Sequence, residues 1–283
     1  MPNIFWYYGL IVIGTVIIVY TAYKKRSVTD LFSYLVFATA WSWIGEAIIL
    51  FVLNAYAYKP GLYTDPFAEN IIGHIIANTA LWASTAIWVM YFQPSYHWIG
   101  LISIAFMPIE VVFLKADAYD HYWWHTYMTG IATFIFMAAM KKWYSIVNKK
   151  RHKFPRIITF WTIAWIILQT PTSVLMLFGK QFFHVNWVEN TYRDSTLFSG
   201  FLYHVCMAII FIFCIYIPKK RYWNVVPFFI LLLGDVILIN MRILVFYEDW
   251  KLSYLICIRA ASVLFFILME KFTLRQVKVE NPT

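Results

Sequence analysis

Nine apolar runs occupy most of the chain, at residues 4–23, 31–53, 71–92, 98–116, 123–140, 157–179, 196–218, 223–247 and 252–270. A helix that crosses a bilayer needs about 20 predominantly apolar residues, because in hydrocarbon every backbone N–H and C=O must find its partner within the segment. Each run approaches that length. The connections between them are short, polar and aromatic, and Lys59-Pro60-Gly61, Asp65-Pro66, Gln93-Pro94-Ser95 and Phe154-Pro155 are the punctuation of loops. The pattern predicts an all-α, polytopic transmembrane bundle of about nine spans. Residues 1–283 then form a single integral membrane domain with no separate soluble domain, and no internal repeat is evident along them.

Charge orients the bundle. No basic residue precedes the first run, and Lys24-Lys25-Arg26 follow it at once, the reverse of the charge order of a cleavable signal peptide. The first run is therefore expected to stay in place with its N-terminus outside. Alternate connections must then be basic. The inner segments hold three Lys or Arg at 24–26, seven from 141 to 156, three at 219–221 and three after 270, which is sixteen of the 23. Lys59, Lys115, Lys180, Arg193 and Lys251 fall outside, and Arg242 and Arg259 lie within runs. The bias predicts a cytoplasmic C-terminus and a multi-pass protein of the cell membrane. The inner connection at 93–97 is the exception, with no Lys or Arg of its own.

Composition agrees: 62% of the 283 residues are hydrophobic and 13% charged, against about 45–50% and about 25% in a soluble domain. The net charge of +9 points to membrane lipids with anionic head groups as partners and not to nucleic acid, since no soluble domain presents the basic loop at 141–156. Cys206, Cys214 and Cys257 all sit in apolar runs, where cysteine acts as a small hydrophobe, and they form neither a disulfide framework nor a CxxC motif.

Candidate chemistry lies where charge is costly. An ionised side chain near the bilayer centre costs about 2.5–3.5 kcal/mol on insertion scales, so such groups face protein and pair or act. The runs contain Glu46, Glu110, Asp235, Arg242 and Arg259, with His74, Asn78, Gln169, Thr170, His204 and Asn240 around them. Counted from the outer ends at about 1.5 Å per residue, Glu46, Glu110, Arg242, Arg259 and His204 all lie about 8–12 Å deep, with Asp235 deeper. That common level predicts one polar cavity opening toward the outer face, lined by Glu46, His74, Asn78, Glu110, Gln169, His204, Asp235, Arg242 and Arg259. His74 and Asn78 share a helix face, as do Asp235 and Arg242. The same groups could instead serve as helix-to-helix ion pairs and hydrogen bonds.

Two smaller patterns stand apart. His121 and His125 would lie four residues apart on a helix and could ligate a metal, with Asp117 or Asp120 as third ligand. The Trp and Tyr residues among them fit an aromatic belt at the membrane interface equally well, so no metal is expected. Pro171, within Gln169-Thr170-Pro171-Thr172, would interrupt or kink the sixth span.

At Pro108-Ile109-Glu110, followed by Tyr122-Trp123-Trp124, the chain resembles poorly characterised multi-pass membrane proteins of spore-forming Firmicutes, a likeness of about thirty residues that implies no activity. Proline, any residue, then glutamate within a span also looks like the membrane-embedded carotenoid and meroterpenoid cyclases, whose intramembrane acids protonate a prenyl chain. That likeness would make Glu110, with Glu46 or Asp235, a proton donor, although the doubled acid of those enzymes is missing here and the spans are more numerous.

The function expected from these observations is binding or transport of a small polar or amphiphilic ligand through the outer cavity. The alternatives are an intramembrane enzyme using Glu46, Glu110 or Asp235 as general acid on a lipid or isoprenoid, and a structural or assembly role. No GxSxG, HExxH or Walker motif is present, and the residues name no cofactor.

Overall fold

The structure, a computed structural model, describes residues 2–26, 28–149, 153–216 and 221–274. The nine apolar runs become nine helical rods: α1 (Ile4–Lys25), α2 (Val28–Val52), α3 (Pro66–Phe92), α4 (Tyr96–Lys115), α5 (Thr126–Lys149), α6 (Lys153–Leu177), α7 (Thr191–Tyr216), α8 (Val226–Asn240) and α9 (Leu252–Phe272). Among the described residues, eight are long and apolar enough to cross a membrane, α8 when taken with the turn before it from Tyr222. The ninth, α5, is as long, but Lys141 and Lys142 and several threonines dilute its apolar run.

Successive rods run in opposite directions, which sorts the connections to two ends. At one end Lys25 lies 4.7 Å from the Phe92 ring, Lys141 Nζ donates to the Pro94 carbonyl at 2.5 Å, and Arg156 pairs with Glu270 at 2.9 Å. This is the basic end. The connection at 93–97, which has no cation of its own, borrows Lys141. Of the basic residues in the charge count, Lys150, Arg151, Lys219, Lys220, Arg275 and Lys278 lie outside the described residues.

The opposite end carries two antiparallel strand pairs that the apolar pattern did not anticipate, hairpins in shape only, since two helices separate the partner strands of each in sequence. Strand β1 (Tyr56–Tyr58) pairs with β2 (Tyr119–His121) in the register Tyr56↔His121 and Tyr58↔Tyr119. Strand β3 (Gln181–Phe183) pairs with β4 (Leu244–Phe246) in the register Gln181↔Phe246 and Phe183↔Leu244.

The two hairpins expose an internal repeat. Tyr56 and Gln181 are 125 residues apart, as are His121 and Phe246. The same step carries α2 onto α6 at both ends, and the C-terminal end of α4 at Lys115 onto that of α8 at Asn240. It also carries Asp65, whose side chain caps α3 by accepting from Phe67 and Ala68, onto Asn190, which caps α7 by accepting from Arg193. One turn further on, Glu69 accepts from the backbone N–H groups of Gly61, Leu62 and Tyr63, and Asp194 does so from Val185, Asn186 and Trp187. Asn70 accepts from Tyr58 N at 2.7 Å, and its counterpart Ser195 accepts from Phe183 N at 3.1 Å. The chain is thus α1 followed by two copies of a four-helix unit, α2–α5 and α6–α9. Equivalent parts meet: α2 packs on α6, and the cap residue Asn190 donates to the cap residue Asp65 at 2.8 Å. Such contacts between equivalents are what a two-fold axis along the bundle produces.

Helix α1 stands outside the repeat and packs on α3 by close backbone approach. A Cβ on Gly14 would lie 2.1 Å from the Ala80 carbonyl oxygen, so only glycine allows this crossing. Three rods contain wide π turns, at Ala47–Val52 in α2, Ala77–Trp82 in α3 and Phe198–Tyr203 in α7. Such turns redirect side chains and gather at functional sites. In α6, Pro171 stands 125 residues after Glu46, and the helix runs through it without a break. Of the two outcomes expected at Pro171, an interruption or a tolerated kink, the interruption does not occur.

Candidate functional site

The buried polar residues form two clusters, one per repeat, instead of one shared cavity. In the first repeat a cavity of about 440 Å³ lies among α1 to α5 beneath the β1–β2 hairpin. Four helices shape it in the same way. Because α2 and α4 run toward the hairpin end and α3 and α5 away from it, Glu46, Asn78, Glu110 and Thr129 all line its hairpin end. Trp41, Trp82, Phe106, Phe136 and Met140 line the deeper part. From Thr129 to Met140 the wall descends about 16 Å at the helical rise.

The hairpin is the lid of this well. Side chains alternate along a strand, so Tyr56 and Tyr58, with their register partners His121 and Tyr119, share one face. Tyr58 Oη donates to Glu46 Oε1 at 2.5 Å, Tyr56 Oη donates to Glu46 Oε2, and Asn78 Nδ2 donates to Glu46 Oε1 at 2.9 Å. Burial, with Glu46 beside them, pushes both tyrosine hydroxyls well above the ordinary phenol range, which keeps them donors. Asn78 also lies 3.2 Å from His74 Nδ1. Both oxygens of the buried Glu46 carboxyl group are thus hydrogen-bonded.

Glu110 is held differently. Trp124 Nε1 donates to Thr129 Oγ1 at 2.8 Å, and Thr129 donates to Glu110 Oε2. The other oxygen, Oε1, lies 2.9 Å from His121 Nε2 but out of line for a hydrogen bond, and neither atom has another partner. With 9% of its surface exposed, Glu110 is a buried acid with one oxygen unsatisfied against a cavity.

The cavity reaches the lipid-facing surface of the bundle. Ile135, 62% exposed, and Ala139 belong to both its wall and the outside of α5. Facing them across the gap are Trp41, Gly45 and Ile49 of α2. Below this window α2 and α5 close together, where Phe37 stacks on Trp143 at 5.9 Å. Above it Trp123 Nε1 donates to the Leu53 carbonyl at 2.9 Å. In the second repeat the equivalent helices, α6 and α9, pack on each other.

The second cluster is closed by direct contacts. Asp235, at the position equivalent to Glu110, receives Arg259 Nε at 2.9 Å and Nη2 at 3.1 Å, and Tyr203 Oη at 2.6 Å. Arg259 can only donate, so His204 Nε2 accepts from its Nη1 at 3.3 Å, and the proton on His204 Nδ1 goes to Gln169 Oε1 at 2.7 Å. Gln169 Nε2 continues to Ser173 and Ser199. Asp235 and Arg259 are 0% and 1% exposed. A second void of about 20 Å³, lined by His74 and Gln169 among others, lies where the two clusters approach, room for about one water.

These placements revise the expected cavity. Glu46, His74, Asn78 and Glu110 gather in the first repeat, and Gln169, His204, Asp235 and Arg259 in the second. Arg242 joins neither. Helix α8 ends at Asn240, and Arg242 sits exposed in the following turn at φ 58°. The apolar run continued past it only because Leu244–Phe246 is a strand. His121 and His125 do not share a helix: His121 is on β2, and His125 lies exposed before α5, stacked on Tyr127. Among the described residues no three metal-ligating side chains converge, and the three cysteines are free. The residues missed from sequence are Tyr56, Tyr58, Tyr119, Trp124, Thr129 and Tyr203. The signal available was the alternation Tyr56-Ala57-Tyr58, a strand period inside a supposed loop.

The rods, their apolar surfaces and the two buried polar clusters define a multi-pass membrane protein. No family profile, curated protein or solved structure matches the chain.

Proposed function

We propose that the protein takes an amphiphilic ligand from the bilayer, through the window between α2 and α5, into the cavity of its first repeat. One observation carries this reading: Glu46, Asn78, Glu110 and Thr129 cluster toward the hairpin end of the cavity, the deeper wall is aromatic or aliphatic apart from Ser42, and the well has a side opening toward lipid. A ligand with a polar head and an apolar tail fits that gradient, whereas a small, wholly polar solute would leave the walls of Trp41, Trp82 and Phe136 in contact with water at about 25 cal/mol per Å² of apolar surface. The charge bias along the sequence supports an outward-facing hairpin end, and with it a head group in the outer half of the cell membrane.

Gly45 faces the window, and a Cβ there meets nothing within 4 Å, so Gly45→Trp adds a ring to the mouth without a backbone clash. Purification from native membrane, lipid extraction and mass spectrometry should recover a bound amphiphile from the parent chain and little from the variant. Equal recovery from both, with both folded, would overturn lateral entry.

A second reading, intramembrane acid catalysis, is favoured by the chain of hydrogen bonds Trp124 to Thr129 to Glu110 and by His121 beside the free oxygen. Here Glu110 in its protonated form adds a proton to a ligand double bond, and its conjugate base removes one from a neighbouring carbon, so atoms and charge balance. Incubation in D2O separates the readings: catalysis places deuterium on carbon in the recovered ligand, and simple binding returns it unlabelled.

A further inference from the structure

The second repeat holds, as part of its own chain, a group equivalent to what the first repeat leaves out. Asp235 and Glu110 stand 125 residues apart at corresponding points of α8 and α4. In the second repeat the acid is answered by the Arg259 guanidinium, which reaches it from α9 with two hydrogen bonds at 2.9 and 3.1 Å. In the first repeat Phe134 occupies the position corresponding to Arg259, and among the described residues no lysine or arginine lines the cavity. What remains at Glu110 is an unsatisfied, buried carboxylate oxygen with His121 as its one neighbouring base. Glu46 asks for nothing more, since Tyr56, Tyr58 and Asn78 already donate to it.

Aromatic rings surround the same spot. Tyr56, Tyr119 and Trp124 pack on one another with ring centroids 5.1 and 5.4 Å apart, and all three line the cavity together with Phe113. Acceptor oxygens and aromatic faces are the two environments that stabilise an organic cation away from water. An anionic head would meet two acidic side chains, with no lysine or arginine among the described cavity residues to answer it.

We propose that the ligand of the first repeat is a cationic amphiphile, an apolar chain ending in an ammonium group, whose head lies against Glu110 as the Arg259 guanidinium lies against Asp235. The proposal rests on the lateral-entry reading and specifies the head group of that ligand. His121, 2.9 Å from that oxygen, is the group the ammonium displaces, and the apolar chain follows the wall toward Met140.

The full-length protein in nanodiscs of phosphatidylcholine, with tritiated octadecylamine as probe and scintillation proximity as readout, provides the test. Saturable binding is expected, competed by unlabelled octadecylamine and not by octadecanol or stearate. Glu110→Gln should weaken it by about tenfold or more, the loss expected of one charge-assisted contact. Gly45→Trp should abolish it whatever the head group. If Glu110→Gln does not fold, the competition pattern of the unaltered protein decides alone. Equal competition by octadecanol or stearate overturns the cationic head while leaving the cavity reading intact. Absence of saturable binding, with octadecanol and stearate as labelled probes also failing, overturns lateral entry itself.

Discussion

At the scale of single residues the sharpest contrast is between two acids at equivalent positions. Asp235 shares its carboxylate with Arg259 and Tyr203, and Glu110 keeps one oxygen unmatched. Removing one member of a buried pair strands the other charge, at a cost of about 3–5 kcal/mol, whereas replacing both by apolar groups of similar size is close to neutral. Arg259→Met should therefore lower unfolding stability by about that amount, and the double variant Asp235→Leu with Arg259→Met should regain most of it. Unfolding by SDS titration in mixed micelles, followed by tryptophan fluorescence, measures both. The acids, Arg259, His74, Asn78, Gln169 and His204 were legible in the sequence because polar groups inside apolar runs are costly enough to need a reason. Arg242 was misplaced because an apolar run cannot say where a helix ends and a strand begins. Thr129 and the tyrosines passed unnoticed because neither residue type is unusual in its setting.

The elements themselves were largely written in the apolar pattern, and the nine runs match the nine rods to within a few residues at most ends. What that pattern could not carry was how the rods touch. Gly14 is one of several glycines in the chain, yet it sets the approach of α1 to α3, since a Cβ there would lie 2.1 Å from backbone. Gly14→Val should cost about 1–3 kcal/mol, the usual range for overpacking, and Gly9→Val, where the added Cβ meets nothing within 4 Å, should be near neutral. Comparing the two melting curves in one detergent isolates the crossing from any general effect of valine. The hairpins were faint for a related reason. Their strands are three residues long, so that each carries a single alternation, as in Tyr56-Ala57-Tyr58, easily lost among the surrounding aromatic residues. The π turns leave no mark in sequence at all.

Across the whole molecule the feature hidden from the sequence was the repeat. Aligned at 125 residues, the two units share few identities, because burial asks only for apolar character and many side chains supply it. The trace that survives is at the helix starts: Asp65 and Asn190 each cap the first turn of their helix, and Glu69 and Asp194 each bond the backbone of the loop before it. If the units are separately folding bodies, fragments 1–149 and 153–283 produced together should copurify through a tag on either one. Asp65→Ala should reduce recovery of the pair, since it removes both the α3 cap and the bond to Asn190, and a cap alone is worth about 1 kcal/mol. Under the proposed lateral entry, the other large-scale feature, the side window between α2 and α5, determines how occupancy is to be counted. A guest that arrives by two-dimensional diffusion within the leaflet never equilibrates with the protein through the aqueous phase. Its saturation follows mole fraction among the lipids, so adding inert lipid at constant total ligand should empty the well, while diluting the same proteoliposomes with buffer should leave it filled.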